Sequence, residues 1–465
     1  MKLFNRSIIL IFSIILIFSN SNGQYSKDSI QIRRIFDMAL ENGTAYKNLK
    51  SLCKDVGHRF SGTKQADSAV NWGYNLLKSM WTDTVYKLPV MVPNWKRGNI
   101  ERAYIFHDDT KLNISSLGGS VGTKKRIKAK LVVANGIEDL ERLGEKNIRG
   151  KIVLFNKAFD PKTINVFETY GACVGQRYSG ASKAAEYGAV GVLVRSMTLQ
   201  NDNHPHTGSM SYTNKNHMIP AAAISTEHAE LLVEKLREKP NLNLVMKMNC
   251  KLLPDVLSYN VIAEIKGETE PESVITIGGH LDSWDLGEGA HDDGAGIVHC
   301  IEVLNLIKAN GYRPKHTIRV VLFMNEENGG KGGQEYANWV KTRGEKQIMA
   351  LESDAGGHTP RGFSISAPDS IFDKIASFKP LLEPYGCHLF KKSTWGGGVD
   401  INPLKLDSTL SINPNMILMG FIPDSHRYFD YHHAETDVFE NVNKRELELG
   451  AGAIGSIVYL IDKYF

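Results

Sequence analysis

Cysteine is scarce, and its spacing supports no framework. Five cysteines (Cys53, Cys173, Cys250, Cys300, Cys387) are scattered over 465 residues with no CxxC pair. That argues against both a disulfide scaffold and a thiolate zinc site. Cys300 lies within an apolar run and reads as a core residue. Charge of one sign is lacking too: the net charge is +4 and no basic cluster stands out, so nucleic acid is excluded as a partner. There is no GxxxxGK[ST] phosphate loop; the glycine-bearing run Gly188–Val194 reads as a buried strand. Long apolar runs are also missing. The run from Ile8 to Phe18 follows Lys2 and Arg6 and precedes the small residues Ser21 and Gly23. It falls short of the ~20 residues a membrane span needs and reads as a secretory signal peptide over 1–23, cleaved before Gln24. No transmembrane segment is expected, and the protein is expected to be exported to an extracellular, periplasmic or lysosomal/secretory lumen. Asn42-Gly43-Thr44 and Asn113-Ile114-Ser115 are glycosylation acceptors in a host that glycosylates.

A chain of this length exceeds a usual single core. Residues 24–125 begin with helical segments, a candidate removable pro-segment among them: one through Met38, one over Ala45–Cys53 and one from Gln65 to Met80. Gly57-His58-Arg59-Phe60-Ser61-Gly62 breaks this run, and His58 reads as a structural loop residue. The strand Thr84–Val92 should lead into an edge hairpin around Gly98 and Glu101–His107. The texture changes over 126–248. Strands at Ala129–Ala134, Gly150–Phe155 and Gly188–Val194 alternate with a helix at Ser179–Tyr187, and the segment Ile219–Ser225 precedes a helix at His228–Lys239, as an insertion would. The remaining strands fall in 249–465, the expected catalytic domain.

The chemistry gathers there. The β-branched strand Ser273–Ile277 closes on Gly278-Gly279 and is followed by His280 and Asp282. A glycine-bearing loop then delivers His291-Asp292-Asp293 to a helix with Ile297, Val298, Ile301, Leu304 and Ile307 at amphipathic spacing. Thr317–Met324 ends in Asn325-Glu326-Glu327, Ile348–Leu351 in Glu352-Ser353-Asp354, and Met416–Ile422 leads to His432-His433. In an open α/β sheet, ligands bind in the crevice outside the carboxyl ends of strands. Imidazoles and carboxylates at four such ends are a metal-site pattern. Zinc accepts both ligand types, and a two-metal centre needs one carboxylate that bridges the ions. His280, Asp292, Glu327, Asp354 and His433 fit that need. Asp282 and Asp437 are placed to accept the other N–H of His280 and His433. Of Glu326 and Glu327, neighbours on a strand end point in opposite directions, so one can hold metal and the other act as base. Asp400, on the loop Trp395–Asp400, is a candidate partner for a substrate ammonium or, equally, a helix N-cap.

The motifs HLDSWD…AHDDGAG, EEN…G…GG, ESDAGG and HHAETD resemble those of the co-catalytic di-zinc exopeptidases. RGKIVLFN, KAAEYGAVGVLV and IPAAAIS resemble, in order, the protease-associated domain. The resemblance implies a twisted, largely parallel sheet flanked by helices, a protease-associated domain inserted at 126–248, and two Zn²⁺ per chain. It makes Asp292 the bridging ligand, followed by a cis peptide to Asp293. His280 and Asp354 would hold one ion, Glu327 and His433 the other, with Glu326 as general base. Where several relatives carry an oxyanion-stabilising tyrosine, this chain has His432, which is assigned that place here. His291 is a rival ligand; His299, His358 and His426 read as structural or pocket-lining. The expected substrate is a short peptide, chiefly a dipeptide with free termini, and the resemblance implies a homodimer. Three alternatives stand beside this. A metal-free interaction protein of the same fold would lack ligands that are all present. A single-zinc glutaminyl cyclase-like enzyme would not need both His280 and Asp354, nor the insertion. An aminopeptidase acting on longer peptides would share the metal chemistry with a more open cleft.

Overall fold

The computed structural model describes residues 26–406 and 415–465; the signal peptide expected over 1–23 lies outside them. Among the described residues two eight-stranded sheets organise the fold. In the first, the order is Thr84–Lys96, Lys251–Ile265, His316–Phe323, Glu270–His280, Lys346–Glu352, Ile417–Pro423, Pro360–Ser366, Leu389–Lys392. Its four central strands, His316–Phe323 through Ile417–Pro423, run parallel. The flanking strands Lys251–Ile265 and Pro360–Ser366 join them antiparallel. Side chains alternate across the sheet with the period of two that a strand imposes. Ile275, Ile277, Val320 and Leu322 point into one core, whereas Val321, Phe323, Ala350 and Leu418 point into the opposite one with Tyr336 and Val340.

The first face is covered by Ala295–Ala309 and Lys444–Tyr464. Ala295–Ala309 departs from the expected amphipathic pattern. Its residues from Ala295 to Leu304 are all buried, polar His299 and Glu302 included. The cause is packing on several sides: the sheet lies under it, and Ala45–Ser51 and Lys444–Tyr464 cover what would have been its wet face. Glu302 is satisfied there by the Thr44 hydroxyl at 2.6 Å and its N–H at 3.1 Å. All five cysteines are free and buried. Among the described residues no helix is long and apolar enough to cross a membrane.

The second sheet runs Lys111–Leu112, Glu101–Ile105, Asn243–Met248, Ile127–Ala134, Ile152–Phe155, Gly191–Arg195, Ala221–Ile224, Ile114–Ser116. The edge hairpin expected around Gly98 and Glu101–His107 forms one turn later than Gly98: Glu101–Ile105 pairs antiparallel with Lys111–Leu112 at the edge of this sheet. Thr84–Lys96 pairs with Lys251–Ile265, and the chain turns at Gly98 (φ 82°) to leave that sheet. On its other side Glu101–Ile105 pairs with Asn243–Met248, and the turn at Gly98 is held by the Asn249 side chain accepting from Ile100 N–H at 2.9 Å. By sheet membership we therefore propose a start for the inserted unit near 101 rather than 126. The strands before 126 are too short to have shown a pattern. Helix Val166–Tyr178, absent from the expectation, is capped by Asn165, which accepts from Phe167 N–H.

The two ends of the described chain are joined by one buried carboxylate. Asp28, in the helix over 26–42, accepts from the hydroxyls of Tyr459 at 2.7 Å and Tyr464 at 2.5 Å and pairs with Lys463. Burial pushes its pKa up, but the bonds from Lys463, Tyr464 and Tyr459 outweigh that and hold it below the ordinary carboxylate value. A carboxylate with a depressed folded pKa adds stability above its unfolded pKa and loses it as pH falls through the folded value. Asp28→Asn should therefore cost about 1–3 kcal/mol in denaturant unfolding at pH 7. The gap to the wild type should narrow as pH drops below the ordinary carboxylate pKa of ~3.9.

Candidate metal centre

Parallel pairing sets the carboxyl ends of the central strands level: His280 is opposite Phe323, and Gly278 opposite Glu352. The loops that leave these strand ends therefore meet in one crevice. Asp292 lies at its middle. One of its oxygens is 3.1 Å from His280 Nε2, and the other is 3.2 Å from His433 Nε2. Asp354 approaches His280 Nε2 at 3.5 Å, and Glu327 approaches His433 Nε2 at 3.1 Å. Two histidine–carboxylate pairs thus flank one shared carboxylate, and the Asp292–Asp293 peptide is cis.

Several features of this cluster fit cations. Asp292 Oδ2 and Glu327 Oε1 are buried without a hydrogen-bond donor, a costly state for carboxylate oxygens unless something positive faces them. Ligand atoms of His280, Asp292 and Asp354 lie within 4.8 Å of one another, as do those of Asp292, His432 and His433. Burial, then Asp292, pushes Glu327 up to about 7. Burial would lower His433, yet Glu327 and Asp292 outweigh it and hold the ring up at about 9. The carboxylates thus favour positive charge on His280 and His433, and metal ions would supply that charge in place of protons. Glu326 is likewise raised, by burial first and then by Asp354 and Glu327.

The carboxylates expected to orient the histidines do something else. Asp282 holds His280 through its backbone carbonyl, 3.0 Å from Nδ1, while its carboxylate stays 3.8 Å away. That carboxylate accepts from Asn325 N–H at 2.6 Å and Glu326 N–H at 3.0 Å, so it fixes the turn carrying the two glutamates. The turn needs fixing, because Asn325 has φ 76°. Asp437 does not reach His433 either. It accepts from His291 N–H at 2.7 Å and Asp292 N–H at 3.1 Å, which sets the bridging residue in place. His433, itself at φ 63°, has its Nδ1 3.2 Å from Thr207 O of the inserted unit.

Other expectations can be placed directly. His432 stacks on His433 with ring centroids 3.5 Å apart, and its Nε2 lies 3.7 Å from Asp292 Oδ2. His291 turns away from the carboxylates: its Nδ1 accepts from Gly357 N–H at 3.2 Å, its Nε2 faces Asn441 O, and its ring stacks on His358. His299 Nδ1 meets Ser353 Oγ at 3.1 Å, and His426 is exposed. Asp400 is neither on the cleft wall nor an N-cap. It is fully buried, and both its oxygens lack a partner. Glu352 draws it inward by accepting from Asp400 N–H at 2.9 Å and Ile401 N–H at 3.0 Å. A Cβ at Gly398 would stand 2.2 Å from the Glu352 carboxyl, so only glycine lets the loop close over it. Buried in this way, the Asp400 carboxylate does not meet a substrate ammonium directly, contrary to the expectation.

Residues the sequence did not single out complete the site. Arg59, wholly buried, donates to the carbonyls of Leu281 at 2.8 Å, Glu288 at 2.5 Å and Gly289 at 2.9 Å. It thereby moors the loop between His280 and Asp292. From the inserted unit, Tyr170 and Arg177 reach the cleft on helix Val166–Tyr178. Val166, Tyr170, Cys173 and Arg177 recur at helical spacing after Asn165, a signal that was available. The resulting cleft, of about 880 Å³, is bounded by Asp292, Glu326, Glu327, Asp354, His432 and His433 on one side and by Phe167, Tyr170 and Arg177 on the other.

Comparison with known proteins agrees with this geometry. The family model of peptidase family M28 matches residues 260–456, and that of the PA domain matches 127–232. Carboxypeptidase Q of Bos taurus is 32% identical over 418 residues, covering 90% of this chain and 85% of its own. The chain belongs to peptidase family M28. It is a metallo-exopeptidase of that family, with a PA domain inserted. The segments MVPNWKRG, NLIKANGYRPK and GGGVDINP also resemble carboxypeptidase Q in particular, and the whole-length similarity bears that out. The crystal structure of a peptidase M28 precursor from Shewanella amazonensis superposes with a TM-score of 0.88 at 31% identity, over 94% of this chain and 97% of that one. A zinc aminopeptidase from Bacillus subtilis shares the fold with a TM-score of 0.64 at 18% identity, over 90% of this chain and 95% of that one.

Proposed function

We propose that this exported protein hydrolyses short peptides, chiefly dipeptides with free termini, using two zinc ions and Glu326 as general base. The observation that carries the reading is the double reach of Asp292, one oxygen toward His280 and the other toward His433, on the wall of a single cleft. His280 and Asp354 would hold one zinc ion, Glu327 and His433 the second, with Asp292 shared. When bound, zinc supplies Lewis acidity and lowers the pKa of water toward ~7. Glu326 stands on the cleft wall beside these groups, its backbone clamped by Asp282. It takes a proton from the attacking water and returns it to the leaving amine. His432, edge-on to Tyr170 at 5.4 Å and stacked on His433, offers an N–H toward developing oxyanion charge. The aromatic and cationic wall from the inserted unit narrows the cleft around a short substrate, which favours a dipeptide over a long peptide.

Paired substitutions separate the two glutamates. Glu326→Gln should keep metal content and lower turnover about 10²–10⁴-fold, whereas Glu327→Gln should lower metal content, read by elemental analysis. Reversed phenotypes would exchange the assignments. A peptide panel tests the substrate class. A free dipeptide should be cleaved at least about tenfold more efficiently than its N-acetylated form, the effect of about 1.4 kcal/mol of lost attraction between its ammonium and the carboxylates of the cleft wall. Efficient trimming of a peptide of about ten residues from its amino end would instead establish an aminopeptidase.

A further inference from the structure

Helix Val166–Tyr178 brings a phenol into the cleft with a proton to spare. Tyr170 bounds the same space as Glu326 and Asp292. Its oxygen accepts from Arg177 Nη2 at 2.8 Å, the hydroxyl's one hydrogen bond among the described residues. A phenol oxygen that accepts still has an O–H to donate, and within the described chain nothing takes it. The group is also held still. Its ring stacks on Phe429 with centroids 4.8 Å apart, and it stands edge-on to His432 at 5.4 Å. The Arg177 guanidinium lies 5.5 Å from the ring centroid. The other η nitrogen of that guanidinium is 3.3 Å from His433 Nδ1, so the phenol oxygen sits beside the half of the centre that His433 and Asp292 form. Burial pushes the phenol pKa up; Arg177 pulls against it, and Glu326 and Asp292 add to the rise. The hydroxyl therefore keeps its proton beside the catalytic base and the shared carboxylate. Donation from a guanidinium onto the phenol oxygen polarises the O–H and strengthens it as a donor.

A fixed, unspent donor in such a place suits a charge that exists only during the reaction. In peptide hydrolysis the water oxygen adds to the scissile carbonyl carbon, and Glu326 takes the water proton. The carbonyl π pair moves onto the carbonyl oxygen, which becomes an oxyanion. The pair then returns, the C–N bond breaks, and the amine takes the proton from Glu326. We propose that Tyr170 donates its hydroxyl hydrogen bond to that oxyanion, so that the inserted PA domain supplies a catalytic residue as well as a wall of the cleft. The inference rests on the hydrolytic reading above and adds a donor to His432. The two donors come from different units, so neither unit alone carries the whole oxyanion site. Preorganisation is what such a donor needs, and Phe429, His432 and Arg177 provide it here.

The experiment uses the full zinc-loaded chain and compares wild type, Tyr170→Phe and Tyr428→Phe, which loses another phenol of the same cleft. Tyr170→Phe removes the hydroxyl and keeps the ring packing, so metal content and unfolding temperature should match wild type. On a neutral dipeptide it should lose about 10²–10³-fold in kcat, with KM changed less than about threefold, as for one lost oxyanion donor. Calorimetry with a phosphinic dipeptide analogue, whose tetrahedral centre carries the charge that the carbonyl develops, should show Kd weakened by the same factor. The reduced-amide dipeptide has no carbonyl to become an oxyanion, and its Kd should stay within about threefold. A loss in KM alone, or equal weakening of both ligands, would mean ground-state binding or packing and overturn the assignment. A selective phosphinate loss in Tyr428→Phe, with Tyr170→Phe like wild type, would place the donor on the catalytic unit and overturn it as well. If only long peptides are cleaved, the dipeptide reading fails, while the kcat ratio on those peptides and the calorimetric ratio still decide the role of Tyr170.

Discussion

One carboxylate carries the architecture of the site. Asp292 touches both histidines, and the carboxylate partner of each histidine comes from a different strand end. Four segments of the parallel sheet are held to one point by a residue that belongs to none of the strands. Such a point needs external support. It comes from Asp437 beneath the His291 and Asp292 amides, and from Arg59, which ties down the loop leading in. A parallel sheet aligns strand ends but does not aim the loops beyond them. Here the aiming is done by buried polar side chains that bond to backbone.

The same division of labour extends to the insertion. Its sheet has a core of its own, and it meets the catalytic unit through apolar packing of Phe159, Val166 and Cys173 on Tyr428 and Phe429 and through polar contacts around the centre. Thr207 N–H donates to His433 O at 3.0 Å and Thr207 O faces His433 Nδ1, while Arg97 joins Asp285 of the loop after His280 to the Ser116 carbonyl. The second candidate metal ligand is therefore oriented by the inserted unit. The placement of that unit and the orientation of His433 are thus linked.

Strand ends and the metal-ligand residue types were legible in the sequence, because β-branched runs closed by glycine or acidic residues mark where a parallel strand stops. The sheet boundaries agree closely: Thr317–Met324 was expected and His316–Phe323 is found. What could not be read was which atom a nearby carboxylate bonds. Asp282 and Asp437 stand near histidines in sequence, but their oxygens go to amides that only the folded loops bring close. Burial on every side was also hidden in Ala295–Ala309, since the helices that cover it come from opposite ends of the chain. Asp400 was misplaced for a similar reason: nothing local announces that Glu352, 48 residues earlier, pulls its backbone inward.

Anomalous diffraction at the zinc edge, on crystals of the purified mature chain, tests the shared-carboxylate centre most directly. Two peaks about 3.5–4 Å apart are predicted, one beside His280 and Asp354 and the other beside Glu327 and His433, with Asp292 between them. A single peak, or a second one held by His432 without Asp292, would contradict it.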